Sequence, residues 1–448
     1  MQRAITLSLL AFAAVTPIRA QAPLSLGDAF RRADAAAFAN RVAVSNSRTQ
    51  AAQVTAALQG ILPTLRAEGG VVRTDNPLAA FGYSLQQRAV SAASFNPASL
   101  NSPDPVTNWN GGLVAEFPIF NADAWAGRGA AVRAADAARA NAGWTRETTR
   151  VDVVRAYFGA ILAREESRTL EVARTAAQAH LRQAESMVAN GLATRSDALL
   201  ASVQQGRLEA QLIGARGNAA IARERLALVL GQPGDTAFTL PDSLPAASRI
   251  RTLATAGTID SSGTRLDLTA ARFGLDAAKG DARRATARYL PRLNGFGRYD
   301  WNSPDRPFGG RLSYTIGLMA SWSPFTGAAQ IADRQATQGR TEAARASLEA
   351  AEASAGLEQS ATRTQLAVAV AQLGIAEVSV TQATEAHRIV ARKYEGGLAT
   401  IAELLGAAAI ETETRLGLAA ARYQVIVAEA AARQAAGADL MALTALEN

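Results

Sequence analysis

Two stretches of this chain, 206 residues apart, are nearly the same: GLATRSDALL from Gly191 to Leu200 and GLATIAELLG from Gly397 to Gly406. Pro118 and Pro324 keep that spacing, and so do Gly231 and Gly437. Solenoid units repeat every ~20–50 residues, so this period is not theirs. It marks the duplication of one large unit. The chain is therefore expected to fold as two related halves with pseudo-two-fold symmetry, and each local reading has a copy to test it against.

At 448 residues the chain exceeds one ordinary hydrophobic core. Aromatic residues make up only 6%, while alanine is abundant, which favours long helices packed through small side chains. There is no cysteine. That removes disulfides, thiolate catalysis, thiolate metal sites and the lipid-bearing cysteine of a bacterial lipoprotein. Residues 1–20 read as a secretory signal: Arg3 gives a basic start, Ala4 to Val15 is apolar but too short to span a bilayer, Pro17 breaks it, and Ala20 suits cleavage. Cleavage after Ala22 would place Pro23 next, an unfavourable context. A soluble N-terminal helix is the competing reading. No later segment has the ~18 uninterrupted apolar residues of a membrane helix, so the mature chain is expected to be exported without a helical anchor. The net charge of +7 falls to +5 once Arg3 and Arg19 leave with the signal. The basic residues are spread singly beside Glu and Asp, with no aromatic-interleaved run, which argues against nucleic acid as a partner.

Three segments follow the signal: a first repeat over 21–231, a connecting segment over 232–262 rich in Pro, Gly, Ser and Thr, and a second repeat over 263–448. Each repeat reads as helix, strand pair, long helix, tight turn, helix. In the first, Leu24 to Ala57 is helical, and apolar–polar alternation predicts strands at about 64–74 and 107–117. In the second, strands fall at about 292–302 and 311–323. The last is the clearest: Leu312, Tyr314, Ile316, Leu318, Ala320 and Trp322 alternate with small or polar residues. The strand lengths suit the ~9–11 tilted residues of a membrane β-strand. Trp109, Tyr299, Trp301 and Trp322 lie on the apolar faces, as interface aromatics do. The first hairpin loop, Asp75 to Thr107, is the longer one and is therefore expected outside. After each hairpin the period changes to about 3.5: Leu170, Ala173, Ala177, Leu181 and Ala184 step by three and four, and so do Leu405, Ala408, Thr412, Leu416 and Ala419. From about Asp123 to Asn190 nothing stops the helix, which predicts a length on the order of 100 Å.

Gly191 and Gly397 each close a helix, where the left-handed C-terminal position favours glycine. Thr194 and Thr400 suit the next N-cap, and Asp197 and Glu403 complete a Thr-x-x-acid capping arrangement. Two antiparallel helices must meet at each turn. Capping and a further role at the helix tips are both open for these two acids.

Four amphipathic strands cannot close a barrel, and an open sheet in lipid would expose unpaired backbone groups. Other copies must complete it. In this plan the chain resembles the bacterial outer-membrane efflux protein family, the TolC-like channels. The resemblance rests on Leu62-Pro63 and Leu290-Pro291 before the outgoing strands, Pro118-Ile119-Phe120 and Pro324-Phe325 after the returning ones, and Tyr394-Glu395-Gly396-Gly397 at the second turn. It implies an α+β membrane protein, a homotrimer in which the duplicated helix–β-hairpin–helix units form a 12-stranded outer-membrane barrel continued by a periplasmic α-helical barrel. It also implies partners: outer-membrane lipid, a periplasmic adaptor protein and an inner-membrane transporter, serving efflux or type I secretion. The adaptor would dock on the turns, at Gly191, Leu192, Thr194, Gly397, Leu398 and Thr400. A periplasmic gate would be formed by Asp197, Tyr394 and Glu403, with Tyr394 and Asp197 hydrogen-bonded between helix pairs and Glu403 in a ring of carboxylates. Gly406 stands where relatives have a second acid, and Ala399 where a basic residue often joins the gate.

An enzyme finds no support: there is no Walker loop, no HExxH and no cysteine, and His180 and His387 sit in helical repeats without convergent ligands. No cofactor or metal is expected. A non-transporting coiled-coil protein of the periplasm or surface would explain the helices and the alanine, but not four period-two segments with aromatic faces.

Overall fold

The computed structural model describes residues 23–256 and 264–447. The signal residues 1–20 and part of the connecting segment lie outside them. The long period-3.5 runs form unbroken helices: α5 (Ala122–Ala189, 68 residues) and α9 (Ala329–Glu395, 67 residues). Each turns back into a shorter partner, α6 (Arg195–Val229) and α10 (Ile401–Ala436). Before the first hairpin come α1 (Leu26–Ala36) and α2 (Phe38–Ala56), and before the second α8 (Leu266–Ala287). The α5–α6 seam buries Leu170, Ala177, Leu208 and Leu212, the small-and-large alternation that the spacing predicts.

The first helical stretch is not continuous as expected. It breaks at Ala37, whose ψ is 133°. The cause is tertiary. Asn40 is buried, its amide donates to the Ala33 carbonyl at 3.1 Å, and its oxygen accepts from Thr149 on α5 at 2.9 Å. Gly231 presses against the same break. A Cβ there would come within 2.2 Å of the Ala36 carbonyl oxygen, and its φ is +75°, so only glycine fits.

The four strands form one antiparallel sheet in the order β1 (Thr64–Thr74), β2 (Val106–Phe120), β3 (Arg292–Ser303), β4 (Arg311–Ser321). β2 runs three residues beyond the expected end at 117. Pro118 has no N–H to donate, and the register slips between Pro118 and Phe120, so the strand continues through a bulge instead of stopping. β4 stops at Ser321, two residues early, and Trp322 lies past it with its indole N–H on the Tyr289 carbonyl at 3.1 Å. The register aligns the apolar faces of all four strands. Leu65, Ala115, Gly297 and Ile316 form one row; Ala67, Leu113, Tyr299 and Tyr314 the next; Gly69, Gly111, Trp301 and Leu312 the next. Two strand glycines make room for aromatic neighbours: a Cβ on Gly111 would strike the Trp301 ring, and one on Gly317 the Phe296 ring.

The long outer loop is not structureless. It holds α3 (Pro77–Gln86) and α4 (Pro97–Asn101), each started by an Asn N-cap, Asn76 and Asn96, with proline in the first helical position. Gln87 ties the loop to the sheet through the Thr107 carbonyl and Asn108, and Asn108 in turn bonds Asn302 at 2.7 Å.

The main core lies at the helices' middles. Tyr157, Phe158, Ile161, Leu226, Leu230 and Ile426 gather there with residues of the connecting segment, which contributes Phe238, Leu240, Leu244 and α7 (Ala247–Ala256). A 3₁₀ turn at Leu440–Leu446 buries Leu440, Leu443 and Leu446 in that core. Just after it the Glu447 carboxylate accepts the Leu26 N–H at 2.8 and 2.9 Å, at the start of α1. The Tyr157 hydroxyl bonds both Glu447 and the Leu24 carbonyl.

Candidate functional site

The two helix turns are built alike. At the first, Gly191 has φ +71°, the Leu192 N–H reaches back to the Met187 carbonyl at 2.8 Å, and the Gly191 N–H bonds Val188 at 3.0 Å. At the second, Gly397 has φ +72°, Leu398 bonds Lys393 at 2.8 Å and Gly397 bonds Tyr394 at 3.0 Å. These paired bonds close the helix ends with a left-handed residue. The next helices open with reciprocal capping boxes. The Asp197 carboxylate accepts the Thr194 N–H at 2.9 Å, and the Asp197 N–H donates to the Thr194 hydroxyl at 3.3 Å. Glu403 and Thr400 repeat this at 2.7 and 3.2 Å. The backbone N–H of Thr194, then its hydroxyl, hold the Asp197 carboxyl below its ordinary range, and Thr400 does the same for Glu403. Both acids are thus ionised caps at fully solvated tips. Leu192 and Leu398 are 73% and 81% exposed there.

Just above the tips the two hairpins pack together through Ala184, Ala201, Tyr394, Ile401 and Leu404. Tyr394 is buried, and its hydroxyl has no partner among the described residues. Among the described residues no hydrogen bond joins Tyr394 to Asp197, the contact expected between helix pairs; one Asp197 oxygen accepts both the Thr194 N–H and the Thr194 hydroxyl. Asp197 still lies close enough to act: burial, and then its charge, push the Tyr394 phenol up.

The same seam holds a constellation that the sequence did not reveal. His180 on α5 and His387 on α9 face each other edge to face, ring centres 6.0 Å apart. His387 Nδ1 contacts the Glu411 carboxylate, while Nε2 of both histidines is buried without a partner. Burial, and then His387, lower the His180 pKa. Burial raises that of Glu411, but His387, Arg415 and Thr384 outweigh it and keep it low. A cavity of about 350 Å³ opens beside them, lined also by Glu165, Arg168 and Asp242. The histidines miss the 206-residue register by one position. The signal that could have paired them is their near-equal distance from the two turn glycines. Among the described residues no group of three or more acids and histidines is placed to hold a metal ion.

At the other end, Trp109, Tyr299 and Trp301 lie in successive rows toward the loop-joined edge of the sheet, and Trp322 lies at the helix-joined edge. Trp125 and Phe325, which the strand pattern missed because both follow the strands, are 58% and 76% exposed near that edge.

A membrane-type sheet with two unpaired outer strands, joined to paired helices on the order of 100 Å long, defines a channel-forming protomer. A family model described as outer membrane efflux protein matches residues 31–232 and 261–438. The chain belongs to that family, and it is an outer-membrane efflux channel protein whose helices extend into the periplasm. Similar solved structures include the outer membrane protein VceC of Vibrio cholerae (20% identity, TM-score 0.77, covering 92% of this chain and 96% of that one). The CmeC outer membrane channel of Campylobacter jejuni is similar too (15%, 0.76, 98% and 94%). So is the open state of the Neisseria gonorrhoeae MtrE channel (19%, 0.71, 95% and 94%). No curated protein sequence matches significantly.

Proposed function

We propose that three copies close a 12-stranded barrel and a helical tunnel, forming the exit duct of a tripartite efflux or type I secretion system. The observation that carries this is the sheet: β1 and β4 are unpaired edges, and their apolar faces are uncovered, with Leu65, Tyr314, Ile316 and Leu318 all more than 70% exposed. Lipid tolerates such strands only when their edges are paired. Trp322 lies ten positions beyond Leu312, the partner of Trp301. At about 3.3 Å per residue and a tilt of about 40°, the two aromatic levels stand about 25 Å apart, the height of an outer-membrane apolar band. The helices also need neighbours. α9 carries an 18-residue window of mean hydropathy 1.4 that is only 22% buried in one chain, with Val368, Ile375 and Val378 exposed.

In this reading the turns at Gly191–Thr194 and Gly397–Thr400 present Leu192 and Leu398 to a periplasmic adaptor, which couples the duct to an inner-membrane transporter. Asp197, Tyr394 and Glu403 form the periplasmic gate, with Tyr394 packed in the seam that joins the two helix pairs. Native mass spectrometry of the detergent-extracted protein tests the assembly. Three chains per particle are expected, and a folded, detergent-soluble monomer would reject it.

A further inference from the structure

Six charged residues on the polar face of the sheet are left without a role by the readings above. The register sets them in four successive rows. Glu116 shares a row with Thr64, Phe296 and Gly317. Arg66 and Arg298 share the next with Val114 and Thr315. Glu68 and Asp300 follow, with Gly112 and Ser313, and Arg311 stands in the row after, with Gly70, Asn110 and Asn302. From the Glu116 row outward the sign alternates, one acid, two bases, two acids, one base, and these six sum to zero; Arg292, on the same face nearer the helices, is paired with Asp123 of α5. The two middle rows are linked. Arg298 donates to Asp300 at 2.7 Å and lies 4.0 Å from Glu68, which lies 3.6 Å from Arg66. The surrounding face is cut back to admit them: a Cβ on Gly112 would stand 2.7 Å from the Asp300 carboxylate.

We propose that these residues form a charge-compensated belt on the wall of the barrel, and that Arg66, Arg298, Glu68 and Asp300 set the exit's tolerance for charged cargo. The inference rests on the channel reading. Adjacent rows are about 7 Å apart along the strands, less than the Debye length of about 10 Å at 0.1 M salt. An ion passing the wall meets both signs within one screening length. The barrel then exerts no net charge selection, and anionic, cationic and zwitterionic solutes leave alike. Removing one sign from the two middle rows would leave a net six like charges around a three-chain ring.

Single-channel recording across a KCl gradient tests the belt, with Glu403 kept in every variant. Glu68→Gln with Asp300→Asn is expected to raise the chloride-to-potassium permeability ratio several-fold at about 10 mM salt. The effect should shrink toward wild type at about 1 M, where the Debye length falls from about 30 Å to about 3 Å. Arg66→Gln with Arg298→Gln should shift the ratio the opposite way, and all four substitutions together should restore it. Thr315→Arg adds charge to the basic row without breaking an ion pair. It should shift the ratio toward chloride even where the double variants assemble poorly. Conducting variants with an unmoved ratio at low salt would overturn the belt and leave the channel standing. A wild-type protein that opens no conductance at all would overturn the channel reading itself.

Discussion

At the scale of residues, the capping acids show how one carboxylate can be claimed twice. Asp197 and Glu403 were candidates both for caps and for a gate, and the geometry shows the caps filled. Thr400→Ala should therefore cost about 1 kcal/mol of stability through the lost cap, read from thermal melting, with channel conductance changed only if the tips also gate. Tyr394→Phe is the complementary probe. The hydroxyl has no partner among the described residues, so its removal should leave thermal melting of the assembled protein nearly unchanged, and a rise in single-channel conductance would assign the hydroxyl to the entrance. The His180–His387 pair adds a pH dependence. His180 has its pKa lowered in the fold, so the unfolded chain binds the proton more readily. Stability is full above the ordinary histidine range, falls as pH drops through about 6.5, and levels off below the folded value. The carboxylates that face the pair are each matched by an arginine, Glu165 by Arg422, Asp242 by Arg164 and Arg168, and Glu411 by Arg415. The melting temperature should fall more between pH 7.5 and 5.5 in wild type than in His180→Gln, and equal falls would remove His180 as the cause.

At the scale of elements, periodicity decided what could be read. Alternation located all four strands because one face of each must be apolar, and the 3.5-residue step located the long helices because small residues recur in one seam. Two of the failures share a cause. The break at Ala37 depends on Asn40 meeting Thr149, a contact between residues 109 apart, and no local pattern encodes it. The run of β2 through Pro118 reflects its partner β3, not its own propensity. The outer-loop helices were legible but unread: Asn76-Pro77 and Asn96-Pro97 are N-cap and first-position signals. The histidine pair was hidden by its one-residue departure from the repeat. For the strands, face assignment makes a sharp prediction. Ile316→Arg should disrupt assembly by about 2–4 kcal/mol if the residue sits near the bilayer midplane, whereas Thr315→Arg, one position away on the other face, should assemble normally. Heat-modifiable gel migration of outer-membrane extracts would separate the two, and equal damage would mean that the register or the membrane assignment is wrong.

At the scale of the molecule, the equatorial core joins both repeats, and the 3₁₀ turn at Leu440–Leu446 is its keystone. Leu443→Ala should cost about 2–5 kcal/mol, as buried leucines do, and denaturant melts of the assembled protein would show it. Glu447 lies 421 residues from the Leu26 N–H that it holds. Contacts so distant in sequence form late in folding. A chain that emerges from its N-terminus presents Leu24 and Leu26 long before Glu447. The helices can form locally as they emerge, but the equator stays open until the residues in the 440s arrive. Until then the fold is an unfinished object, with one of the two Tyr157 hydroxyl contacts and the carboxylate on the start of α1 still missing. A chain cut short of residue 440 should therefore leave this core open, and limited proteolysis should cleave it faster than the full chain.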